Sequence, residues 1–149
     1  MRDMNPALLR DCVGQEVAVS DWLDMPQTRI DTFAEATEDH QWIHTDPARC
    51  QRESPFRMPV AHGFLTLSLI PALFENAVRL AGAKMVLNYG LNKVRFPAPV
   101  PVGSRVRARV TLLAVEAVEG GEQLTWNVVI ESDAGAKPAC VAEMLMRCY

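Results

Sequence analysis

The chain has 149 residues, with 15 Lys and Arg against 18 Asp and Glu and no run of like charges. Its length suits a single domain, 1–149, and its net charge of −3 gives no electrostatic reason to hold nucleic acid or an anionic membrane. That charge balance leaves a small molecule as the expected partner, while Cys12, Cys50, Cys140 and Cys148, far apart with no CxxC pair, predict free thiols in a reducing compartment.

The opening "MRDMNPALLR" carries charges where a secretory signal needs an apolar run, so a cytoplasmic setting is expected. "EVAVS" near the start reads as a strand. In "TRIDTFAEAT", Thr28 to Thr37, the residues Ile30, Phe33, Ala34 and Thr37 recur at steps of three and four, which predicts a helix opened by Thr28 or Asp31. Val60 to Leu80 is the most apolar segment, but His62, Gly63, Pro71, Glu75 and Arg79 interrupt it, so it predicts a core helix and not a membrane span. Pro71 predicts a kink or break in that helix, and Gly82 is placed to cap its end.

Beyond Lys84 the period becomes two. "KMVLNYG" and "NKVRF" read as strands, and "RVRARVTL" sets Arg105, Arg107 and Arg109 on one face with Val106, Ala108 and Val110 on the other. "LTWNVVIE" alternates likewise through Trp126, Val128 and Ile130, with "EGGE", Glu119 to Glu122, as the hairpin turn between the two. A last strand, Ala139 to Tyr149, follows "SDAGAKP". About five or six strands around one apolar helix leave an open sheet edge, and a dimer that joins edges would cover it.

Two of the three histidines lie in "TEDHQWIHTDP", Thr37 to Pro47. A lone polar loop residue is usually just solvated, but here Asp39, His40 and His44 flank the apolar pair Trp42 and Ile43, which should anchor the backbone while polar groups project. His40 and His44 at i and i+4 have the spacing of a metal-binding HExxH helix, yet Gln41 stands where that motif has glutamate, and Pro47 favours a turn; no metal is expected. Asp39 and His44 suit acid/base chemistry instead, since a carboxylate and an imidazole can address the same water or substrate proton. Asp39 merely orienting His44 is the simpler alternative. In "AHGF", Gly63 at a helix start offers an unpaired N–H and lets a ligand carbonyl approach, or else permits tight helix packing.

"FAEATEDHQWIHTDPARC", "SPFRMPVAHGFLTLSLIPAL" and "LNYGLNKVRFPAPVPVGSRVR" together resemble the MaoC-like dehydratases, the (R)-specific enoyl-CoA hydratases, and among them the nodulation protein N-like branch. The resemblance runs in order from about Ile30 to Val110. It implies an α+β hot-dog fold, a long central helix wrapped by an antiparallel sheet, and a homodimer acting on an acyl-CoA, an enoyl thioester, without a cofactor. Asp39 and His44 fall on the family's catalytic positions and Gly63 on its oxyanion donor; Gln41 and Trp42 stand where asparagine and proline are common. Lys93 and Arg95 are implied contacts for coenzyme A phosphates. The activity implied is reversible syn hydration to an (R)-3-hydroxyacyl thioester, with a hot-dog thioesterase or a non-catalytic acyl-CoA binding subunit as alternatives.

Overall fold

The structure is a computed structural model describing residues 1–149, the side chains of Pro6 and Ala7 excepted. In chain order it contains β1 (Arg2–Met4), α1 (Pro6–Asp11), β2 (Glu16–Val19), β3 (Leu23–Asp24), α2 (Gln27–Thr37), α3 (Trp42–Thr45) and α4 (Pro47–Glu53). Then follow α5 (Gly63–Ser68), α6 (Ile70–Ala77), β4 (Val78–Leu80), β5 (Val86–Arg95), β6 (Arg105–Val118), β7 (Gly121–Ser132) and β8 (Cys140–Cys148).

The main sheet has the order β2-β6-β7-β8-β5, every neighbour antiparallel, with β3 also paired to β6. Its inner face follows from the two-residue alternation. Val106, Ala108, Val110 and Leu112 of β6, Leu124, Trp126, Val128 and Ile130 of β7, and Ala142 and Met144 of β8 are all buried. The arginines of β6 project outward and pair there: Arg105 with Asp133, Arg107 with Glu131 and Arg109 with Glu16. The turn between β6 and β7 sits where "EGGE" predicts it, with Gly120 at φ 75°, a left-handed conformation that glycine adopts without strain.

α5 and α6 lie across the inner face, presenting Leu65, Ile70, Leu73, Phe74 and Ala77 to it. Phe74 meets Trp126 edge to face, with ring centroids 5.0 Å apart, a favoured geometry for two quadrupolar rings. The helical run breaks at Leu69, two residues before Pro71; a proline there supplies no N–H to the turn behind it, which is the predicted interruption.

Four sequence expectations are corrected. The helix ends at Ala77 and not at Gly82: Val78–Leu80 becomes β4, paired in parallel with β1, and Gly82 (φ 90°) turns the chain after it. Neither Thr28 nor Asp31 opens α2, whose N-cap is Pro26 without a side-chain bond. "KMVLNYG" and "NKVRF" form one strand, β5, with register shifts around Gly90. The segment expected as a turn before Pro47 forms α3, and a further helix, α4, follows it with Pro47 at its first turn and the Asp46 carboxylate accepting from the Arg49 N–H.

β5 ends the sheet, and none of its residues is buried. Val86, Leu87, Tyr89 and Leu91 are exposed along it, leaving an apolar edge with an unpaired backbone row.

Candidate active site

The site forms where the α2–α3 turn meets the start of α5. Glu38 closes α2 in a left-handed conformation (φ 62°), which swings Asp39 out of the helix and leaves it exposed. The one-turn helix α3 then directs His44 inward. Gln27 of α2 holds this turn by donating its Nε2–H to the His44 carbonyl at 2.7 Å, and the Val60 N–H donates to the Ile43 carbonyl at 3.0 Å. The strip preceding α5 is held from the other side, with the Ala61 N–H donating to the Val100 carbonyl and the Val102 N–H to the Pro59 carbonyl.

These contacts fix the His44 ring. Its Nδ1 lies 2.6 Å from the Val60 carbonyl, which can only accept, so Nδ1 carries the proton and a neutral ring keeps its lone pair on Nε2. Burial pushes the His44 pKa below the ordinary histidine value, outweighing the bond to Val60 that raises it; His62 adds to the lowering and Asp39 opposes it. The base form is therefore the resting form at neutral pH.

His62, in the sequence only a polar interruption of the apolar segment, is a direct neighbour of His44. Its ring stacks on that of His44, centroids 3.8 Å apart and planes 25° from parallel, while Phe33 packs against its other side. His62 Nε2 donates to the backbone carbonyl of Asp39 at 2.9 Å, which binds the Asp39 turn to the residue before Gly63. Its buried Nδ1 has no partner among the described residues. A neighbouring histidine without a pattern of its own gave no signal for this pairing in the sequence.

Donor atoms of Asp39, His44 and His62 lie within 4.8 Å of one another. One nitrogen of each ring is committed to a carbonyl, His44 Nδ1 to Val60 and His62 Nε2 to Asp39, which leaves a single lone pair on each. His40 stands apart: it is exposed, with Nδ1 3.6 Å from a Glu35 carboxylate oxygen. The spacing of His40 and His44 thus does not produce a shared ligand face.

Gly63 begins α5 with His62 as N-cap, and its N–H has no acceptor among the described residues. Lys93 and Arg95 are exposed on the outermost strand, Arg95 bonding only the carbonyl of Val94. The structure thus brings Asp39, His44 and the residue before Gly63 into one cluster and leaves the two cations on an open edge. Chemically, the cluster offers a carboxylate, an oriented imidazole base and an adjacent backbone donor.

Residues 10–133 match the family described as MaoC like domain. The chain is 50% identical over 140 residues to 3-hydroxyacyl-thioester dehydratase Z of Mycobacterium tuberculosis, covering 93% of this chain and 92% of that one. It is 43% identical over 148 residues to nodulation protein N of Rhizobium leguminosarum bv. viciae, covering 97% and 91%. Among solved structures, the (R)-hydratase from A. caviae involved in PHA biosynthesis superposes with a TM-score of 0.72 at 28% identity, over 90% of this chain and 94% of that one. These likenesses give the helix-on-sheet architecture its name, the hot-dog fold. The chain belongs to the MaoC-like dehydratase family and is a hydro-lyase.

Proposed function

We propose that the protein is an (R)-specific enoyl-CoA hydratase, interconverting a trans-2-enoyl-CoA and a (R)-3-hydroxyacyl-CoA. The observation that carries this reading is the meeting of Asp39 and His44 within 4.8 Å, His44 being held by Val60 with its Nε2 lone pair available. The dehydratase and (R)-hydratase names of the relatives support it.

In the hydration direction, Asp39 and His44 hold one water between them. Its oxygen attacks Cβ as a proton passes to the dyad, and the dyad returns a proton to Cα on the same face, so water adds syn. The two groups act as a unit sharing one proton inventory. Electron density pushed out of the double bond gathers on the thioester oxygen, where the Gly63 N–H donates to it; one such donor is worth about 3–4 kcal/mol to an oxyanion transition state. Dehydration is the same path reversed.

The bare edge of β5 supports a homodimer, since its exposed apolar side chains and unpaired backbone suit a second copy in antiparallel register. Lys93 and Arg95 on this strand are the proposed contacts for coenzyme A phosphates, and the setting is the cytoplasm.

Incubation with crotonyl-CoA tests the reading. The expected product is (R)-3-hydroxybutyryl-CoA, resolved by chiral chromatography against both enantiomers, with no thiol released. The (S) product would contradict the proposed face of attack, and free coenzyme A would make the protein a thioesterase.

A further inference from the structure

Gly63 is helical backbone, open to any residue, so its lack of a side chain has another cause. A Cβ there would stand 3.1 Å from Cδ2 and Cε2 of Phe96 and 3.2 Å from its Cγ. The phenyl ring occupies the space a side chain would need. Phe96 is held there from behind, because Pro97 confines the preceding residue to extended backbone and the ring also meets Phe64 edge-on at 6.3 Å. Its other side is open, at 42% exposure, to a cleft of about 260 Å³ shared with Phe56, Ala61, Thr66 and Val100. Gly63 is thus the boundary between this cleft and the polar Asp39–His44–His62 cluster.

From this contact we propose that Phe96 is a specificity-determining residue: its ring walls the slot beside Gly63 and admits thioesters unbranched at Cα. The inference rests on the hydratase reading, in which the thioester oxygen meets the Gly63 N–H and Cα lies one bond from that carbonyl. A methyl on Cα then meets the ring, whereas a flat unbranched enoyl group lies along it.

Wild type, Phe96→Ala, Phe96→Leu, Gly63→Ala and the Gly63→Ala/Phe96→Ala double variant are compared for hydration of crotonyl-CoA and of its Cα-methylated analogue, 2-methylcrotonyl-CoA. Binding of unreactive butyryl-CoA is measured in parallel by calorimetry. Phe96→Ala is expected to weaken butyryl-CoA binding and raise the crotonyl-CoA KM about tenfold, the size of effect a lost phenyl contact gives. It should also shift the preference toward the methylated substrate by about tenfold or more, with Phe96→Leu between it and wild type. Gly63→Ala should lose about 10²-fold in kcat/KM by displacement of the ring, and the double variant should recover part of that loss, since contacting residues do not add. An unchanged substrate preference in both Phe96 variants, or a double variant that loses the product of the two single effects, overturns the proposal. A protein that binds butyryl-CoA in a Phe96-dependent way but hydrates neither substrate would retain the wall and sink the hydratase reading.

Discussion

Each imidazole of the stacked pair is defined by the carbonyl it bonds. His44 gives its Nδ1–H to Val60 and His62 its Nε2–H to Asp39, so neutral rings keep their lone pairs on opposite nitrogens. In the proposed mechanism His44 works as a base, and burial depresses its pKa, so activity should fall as pH drops through a midpoint below the ordinary value of about 6.5. The kcat/KM profile checks this; an acid limb centred above that value would contradict the assignment. Stability carries the same sign: the unfolded histidine binds its proton first, so His44 lets stability decline as pH falls from about 6.5 through its folded pKa. His62→Ala removes both the stack and the bond to the Asp39 turn. Its kcat should drop by about tenfold or more, as expected for a misplaced acid/base group, and the acid limb should move to higher pH because His62 no longer lowers the His44 pKa. His62→Gln, which retains an N–H, should recover part of kcat; a pH limb unmoved in both variants would reduce His62 to packing.

At the scale of elements, the strands were the most legible part of the chain. The Val106–Val110 and Trp126–Ile130 alternations point inward as read, because a half-buried sheet imposes a period of two wherever its register is unbroken. Helix ends were less legible. Val78–Leu80 carries on the apolar pattern of α6, and what converts it to β4 is a backbone ladder to Arg2–Met4, some 76 residues away, which no local signal encodes. Helix α3 was hidden in the same way, its turn being fixed by Gln27 and Val60 and not by its own residues. β5 carries a further prediction. Substituting Val86 and Leu91 together by lysine puts charge on the apolar edge, and sedimentation should report a dimer for wild type and a monomer for the variant. A wild-type monomer, or a variant dimer of unchanged affinity, would remove β5 as the interface.

For the whole molecule, the sheet serves as a rigid floor, α5 and α6 lie on it, and the α2–α4 segment overhangs the start of α5. The candidate site lies where overhang and helix meet, which is why residues 23 apart in sequence, Asp39 and His62, share a hydrogen bond. Asp39 and His44 stood out in the sequence by residue type, and Gly63 by its place at a helix start; the structure brings the Asp39 and His44 donor atoms within 4.8 Å of each other. Phe96 and the His44–His62 stack were not, because apolar contact and ring stacking depend on chain closure from distant elements. The central claim is that Asp39 and His44 operate as one proton-transferring unit on an enoyl thioester. The most direct measurement is kcat for crotonyl-CoA hydration in wild type, Asp39→Asn, His44→Gln and the double variant, followed at the conjugated enoyl-thioester absorbance. Each single variant should lose about 10²–10⁴-fold, the usual share of acid/base catalysis, and the double variant should lose little more than the worse single. Retention of near-wild-type kcat in either single variant, or losses that multiply in the double, would contradict the dyad.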